Sequence, residues 1–285
     1  MTALVFLCAF EFIFVKAILS IAPALTIIWM KYVLAFVALL CIKLARKERW
    51  PFTVRDIPYF VVCGAIGELL YYFSSFNAIN YLPVALVTVI IALCPVLSII
   101  LERIIFKKKI RFPTVFGICV SLFGICMVAG VDTAMLSSGR FWGYLLAFAS
   151  VICANVYNIL ILRIVSRYST FDISLNVIAA MAVICFPMAA GALPAPQAIN
   201  TFFIVAIVFL GLGVGALGFL VYVNSLRVAG TTTTLMFSNF VPVVACVFGW
   251  LLLKETILPL QLVGGAITLA GCAAAIWFND KQLEA

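Results

Sequence analysis

Three ionisable side chains, Glu11, Lys31 and Glu68, stand well inside long apolar runs of this chain. At the centre of a bilayer such a charge costs about 2.5–3.5 kcal/mol on insertion scales, so it faces a bundle interior or a watery cavity. Groups in that setting bind something, relay a proton or pair with one another. Glu11 and Lys31 fall at similar depth on consecutive antiparallel runs and can pair. Two readings of that pair stay open: an architectural contact that sets how the first two helices pack, or part of a binding site. Glu68 has no partner visible in the sequence. Tyr72 and Ser75 follow it at i+4 and i+7, which on a helix makes a polar stripe with aromatic character. That stripe is a candidate cavity wall, with Glu68 a candidate for cation recognition or proton coupling. The alternative is a hydrogen-bonded carboxyl with neither role. Lys16 lies nearer the end of its run and can snorkel to the interface.

Elements of membrane-spanning length have to carry these groups. Of the 285 residues, 67% are hydrophobic and 10% charged, with a mean hydropathy of +1.29; soluble domains are about half apolar and about a quarter charged. Apolar runs of about 20 residues recur from end to end, the length an α-helix needs to cross hydrocarbon. The alternating segments of about ten residues that mark a transmembrane barrel do not occur. The chain is therefore read as an all-α integral membrane protein. Ten spans can be drawn, at about 2–20, 24–43, 57–78, 83–105, 112–131, 141–162, 171–190, 200–222, 230–252 and 258–278. The first run lacks a basic leading segment and holds Glu11 and Lys16, so it reads as a helix and not as a signal peptide.

Of the 18 Lys and Arg, 14 fall on one side of this topology, Arg140 and Lys254 on the other, and Lys16 and Lys31 within spans. Cytoplasmic loops hold the excess of positive charge, so both termini are expected in the cytoplasm. The same loops account for the net charge of +8, which is no sign of nucleic-acid binding. The ten cysteines lie in apolar runs without a CxxC and read as small buried hydrophobes. Histidine is absent, which removes the commonest general base and metal ligand, and neither a metal nor a cofactor is expected.

A shift of 147 residues lays Asn77 on Asn224, Pro95 on Pro242, Lys107 on Lys254, Gly117 on Gly264 and Gly124 on Gly271 without a gap. Lys16 on Arg163, Gly64 on Gly211 and Leu70 on Leu217 extend the register upstream. This is an internal duplication of two halves, residues 1–132 and 140–285, with a short polar link from Asp132 to Arg140. Five spans per half is an odd number, so the second half is expected to enter the membrane inverted, a signature of secondary transporters.

The duplication adds a second route to a site. Glu11 falls on Asn158, with Asn155 one turn earlier, and these positions converge on one axis if they face inward. Glu68 falls on Gly215, which would leave room opposite the carboxylate. Ser238 and Asn239 precede Pro242 in an otherwise apolar span, and a proline frees the carbonyl four residues back, that of Ser238. Pro95 does the same for Ile91. These kinks are candidate gating points or cavity walls; equally, the polar side chains can simply bond to neighbouring helices. Gly213, Gly215 and Gly218 spell GxGxxG, but inside an apolar helix with no strand before it, where close helix contact is the better explanation.

The block Gly230–Gly271 has a Thr-rich start, Pro242, the run Trp250-Leu-Leu-Leu-Lys-Glu255, then Gly264 and Gly271. It resembles the EamA branch of the drug/metabolite transporter superfamily, and Pro95 with the Gly117 to Gly124 spacing extends the likeness to the first half. The resemblance implies ten helices in two inverted five-helix repeats, a central cavity and alternating access for small metabolites, often exported. Similar proteins carry Glu after the fourth helix of each half: Glu255 fits, whereas the first half has Lys108. Where they have Arg in the second helix, this chain has Lys31, and Glu11 replaces a small polar residue.

The expected function is secondary active transport of a small metabolite, such as an amino acid or amine, across a cell inner membrane, with proton coupling open. A passive channel or receptor is the alternative, and an intramembrane enzyme the remotest, for want of His or HExxH. The expected partners are a small-molecule substrate and the lipid bilayer, with no nucleic acid, for a monomer or homodimer.

Overall fold

The computed structural model describes residues 2–47, 54–106, 112–129, 140–255 and 258–283. The link at 132–139, together with Arg49, Lys107, Lys108, Lys109 and Arg111, lies outside the described residues. Helices make up nearly all of what is described, with no strand among them. In chain order they are α1 (Thr2–Ile18), α2 (Ala24–Ala45), α3 (Ile57–Tyr81), α4 (Val84–Ile91 and Cys94–Phe106) and α5 (Phe112–Ala129). Then come α6 (Arg140–Ile164), α7 (Thr170–Ala189), α8 (Thr201–Val228), α9 (Gly230–Ser238 and Val241–Leu253) and α10 (Pro259–Leu283). Seven helices are long and apolar enough to cross a membrane, those at α2, α3, α4, α6, α7, α8 and α10; α5 and α9 hold shorter apolar stretches.

Local chemistry sets several boundaries. Pro23 and Pro83 sit before α2 and α4, where a fixed φ starts a helix and the missing N–H costs nothing. Ser169 caps α7 by accepting from Asp172 N at 3.0 Å, and Asn200 caps α8 by accepting from Phe203 N at 2.8 Å. The fourth helix of each half breaks where its proline removes a bond: α4 pauses after Ile91, ahead of Pro95, and α9 after Ser238, ahead of Pro242. The π-helical stretches Ala65–Leu70 in α3 and Phe209–Gly218 in α8 also overlap at the 147-residue offset.

The halves do not stand apart; most packing runs between them. α2 packs on α7 and α8, α3 on α6 and α7, α1 on α8 and α9, α4 on α9 and α6, and α5 on α10. At the offset, α1 to α5 correspond to α6 to α10. Each contact then has a counterpart: α2–α8 answers α3–α7, α1–α9 answers α4–α6, and α1–α8 answers α3–α6. The α5–α10 contact is the tightest, and glycines make it so. A Cβ on Gly117 would lie 2.5 Å from Ala275 N and 3.0 Å from Gly271 O; one on Gly124 would lie 2.5 Å from Thr268 N and 2.7 Å from Gly264 O. Gly117 thus faces Gly271 and Gly124 faces Gly264, so the two helices run antiparallel.

The outer faces carry large apolar side chains, among them Phe112, Val183, Trp250 and Phe123, a surface suited to hydrocarbon and not to water. The cysteines are all unpaired, but Cys41, Cys119 and Cys126 are exposed, which corrects the expectation that all ten are buried. A helix in lipid gains nothing by turning a small apolar thiol inward, so cysteine placement there is free.

Candidate functional site

A cavity of about 140 Å³ opens within the bundle between helices of both halves. Lys31, Glu68 and Tyr72 line it, as do Pro95, Ser238 and Asn239. Glu11 is one layer behind: Lys31 Nζ is 2.6 Å from Glu11 Oε1, and Tyr72 Oη donates to Glu11 Oε2 at 3.3 Å. Both charged partners are 1% exposed. The ammonium also sits 3.5 Å from the centroid of the Tyr72 ring, whose negative face adds to the carboxylate's attraction. The α1–α2 pair therefore forms, and Lys31 is held from two sides.

Glu68 does find a partner, one that sequence spacing could not reveal. The Tyr32 hydroxyl donates to Glu68 Oε2, while Oε1 takes no hydrogen bond among the described residues. Tyr32 sits next to Lys31 on α2, so one turn of that helix serves both carboxylates. The expected stripe of Glu68, Tyr72 and Ser75 is only partly right. Ser75 is fully buried, bonds back to the Tyr72 carbonyl at 3.4 Å and stays off the cavity, whereas Tyr71 lines it. The π stretch at Ala65–Leu70 is the reason: each wide turn takes in an extra residue and rotates the positions after it.

The second half contributes differently from expectation. Asn155 donates to its own helix at Val151 O, 2.9 Å away, and Asn158 accepts from Tyr222 Oη at 2.6 Å, so neither lines the cavity. Tyr157 between them does, with Tyr222 and Phe219 from α8. The reason is helical phase: Asn155 and Asn158, one turn apart, share a face turned aside from the cavity, while Ala154 and Tyr157 occupy the inward one. A Cβ at Gly67 would strike the Tyr157 ring, so this glycine lets the ring close over α3 beside Glu68. Gly215 lines the cavity as well, but the space it leaves is filled by Ala35 and the Lys31 stem, 3.0 and 3.3 Å from a Cβ there. It makes room for the lysine, not for Glu68. Pro242 is buried in α9 away from the cavity wall.

Polar clasps join the halves at both ends of the bundle. At one end Lys43 is 4% exposed and meets Asp172 at 2.5 Å, bridging α2 and α7. Asp56 takes Arg167 at 3.2 Å and the Tyr168 hydroxyl, and Tyr59 Oη donates to Leu160 O at 2.6 Å. Lys43 is one of the 14 Lys and Arg counted on that side of the topology, and burial in the α7 contact sets it apart from the loop charges. The Ser169-x-x-Asp172 spacing is the one sequence signal that could have marked that end. At the other end both oxygens of Glu255 accept from Val84 N, at 3.1 and 3.0 Å. The first turn of α4 has no side-chain cap of its own, so a carboxylate from the other half satisfies a free N–H at the positive end of the helix. Lys254, at φ +55, makes the left-handed turn that brings Glu255 back. Lys16 is half-buried and donates to the Ile79 carbonyl, a tie between helices in place of the expected snorkel.

Comparison with known proteins gives this arrangement a family. A protein of Streptantibioticus cattleyicolor named "Probable terminal-alkyne amino-acid exporter" is 28% identical over 224 residues, covering 76% of this chain and 72% of its own. An "Uncharacterized transporter" of Archaeoglobus fulgidus is 22% identical over 233 residues, covering 80% and 79%. A solved crystal structure, 19% identical, superposes on 100% of this chain and 99% of its own with a TM-score of 0.63, a likeness of fold alone. The profile of the EamA-like transporter family matches residues 1–130 and again 141–277. With nearly its whole length matched, this chain belongs to the EamA-like transporter family.

Proposed function

We propose that this transporter is a secondary carrier that moves a small metabolite through the observed cavity by alternating access, in the direction of export, from a bacterial-type inner membrane. In this reading all ten helices cross the bilayer as two inverted five-helix halves, with both termini in the cytoplasm. The single observation that carries it is the position of the cavity: both halves line it, and separate polar clasps shut the bundle at either end. Family membership and the reciprocal pairing of Gly117 with Gly271 and Gly124 with Gly264 support inversion, because equivalent helices of an inverted repeat run antiparallel. The amino-acid exporter among its relatives makes amino acids and amines the first solutes to try.

Glu68, open to the cavity on one oxygen, is the proposed coupling group, and the helix breaks ahead of Pro95 and Pro242 are the proposed hinges. The test is counterflow in proteoliposomes: unlabelled solute inside should drive transient uptake of labelled solute. A carrier gives that overshoot; a channel gives none, and an enzyme would return altered solute. Glu68→Gln should lower transport at least about tenfold and flatten its dependence on pH, with insertion unchanged. Wild-type rates and an unaltered pH profile in that variant would end the coupling role.

A further inference from the structure

We infer that the cavity is built for a small organic amine carried as a cation, its ammonium on Glu68 and its apolar body against the surrounding aromatic rings. The inference rests on the carrier reading above and names the class of solute carried. It comes from a charge count. Among the described residues, Lys31 and Glu68 are the only Lys, Arg, Asp or Glu that line the cavity. Lys31 is already neutralised, by Glu11 at 2.6 Å and by the Tyr72 ring, and Glu11 spends its second oxygen on the Tyr72 hydroxyl. What remains for a solute is one carboxylate, Glu68, with Oε1 unoccupied among the described residues.

Two further polar atoms are unmatched there. Tyr157 Oη and Asn239 Oδ1 are buried without a hydrogen-bond partner among the described residues, and both residues line the cavity. A buried polar atom left unpaired is costly, and an ammonium donor satisfies acceptors of this kind. Together with Glu68 they provide up to three oxygen acceptors for one N–H-rich group. Four rings, Phe12, Tyr71, Phe219 and Tyr222, stand among the aliphatic side chains of the remaining wall, and such rings favour a cation and an apolar body. A free carboxylate on the solute would need Lys31 to give up Glu11, leaving a buried charge unpaired. A zwitterion is thereby disfavoured against the matching amine.

Binding to detergent-purified full-length protein, by titration calorimetry, separates the classes. The probes are 2-phenylethylamine, L-phenylalanine (the same skeleton with a carboxylate added), 3-phenylpropanoate and 2-phenylethanol. The amine should bind at least about tenfold more tightly than any of the other three. Glu68→Gln should abolish that preference, and Tyr157→Phe, which removes one hydroxyl from a ring that keeps its place, should weaken the amine about threefold to tenfold. Equal or tighter binding of L-phenylalanine overturns the inference, as does absence of amine binding in protein that unfolds cooperatively on heating. Amine binding without counterflow would sink the carrier reading and spare this one. Counterflow of phenylalanine in the face of weak amine binding would do the reverse.

Discussion

Each charge in the interior has its own answer to burial. Lys31 and Glu11 neutralise one another and recruit Tyr72, whereas Glu68 relies on a hydroxyl and keeps an oxygen free. Buried pairs are poor sources of stability but expensive to break on one side only. Glu11→Gln, which strands Lys31, should therefore cost about 3–5 kcal/mol, and Glu11→Gln with Lys31→Met should recover most of that loss. Thermal unfolding of the two variants in detergent decides the matter: equal melting temperatures would show that the pair contributes nothing. Glu255 makes the milder case. It caps a foreign helix start with a charge, so Glu255→Gln should cost about 1 kcal/mol and lower the melting temperature by a few degrees. No change would mean that the cap is ornamental.

Helices in this fold gain their specificity from backbone approach and from interruption. Lipid removes the hydrophobic drive for one helix to seek another, so small residues that admit close contact take over. The α5–α10 contact depends on this at Gly117, where an added methyl would meet the backbone of Ala275. Gly117→Ala should cost about 1–3 kcal/mol, visible as a lower melting temperature, while Gly191→Ala, with nothing near its Cβ, should be nearly silent. Comparable losses at both sites would remove the packing argument. Interruptions work the other way. The breaks after Ile91 and Ser238 and the π stretches in α3 and α8 lie at the depth of the cavity, where freed carbonyls and rotated side chains are useful.

Across the whole molecule, most helix packing among the described residues runs between the halves. Among the described residues the main inter-half pairings map onto themselves or onto one another at the same offset, while the α4–α10 contact is an exception with no comparable α5–α9 partner. The proposed alternating access would break one set of clasps while the other holds: Lys43–Asp172 and Asp56–Arg167 at one end, Glu255–Val84 at the other. Orientation is directly measurable. Fluorescent reporters fused to either terminus should both lie on the cytoplasmic side, and termini on opposite sides would defeat the even number of crossings.

Much of this was legible in the amino-acid order. Hydropathy and run length determine the helical membrane class, because crossing hydrocarbon demands long apolar segments and internally satisfied backbone. The 147-residue offset in Pro, Gly and Asn located the duplication, and with it the paired helix breaks, since a proline removes its hydrogen bond wherever it sits. Glu11, Lys31 and Glu68 stood out because charge inside such runs is costly. The tertiary structure alone decided what each one meets. Spacing counted in α-helical turns misplaces Ser75 beyond a π turn, and helical phase puts Tyr157, not Asn155 or Asn158, on the cavity wall. Tyr32 for Glu68 and Asp172 for Lys43 come from helices 36 and 129 residues away. Local periodicity carries no information on how two distant helices are rotated against each other, and that rotation selects the partners.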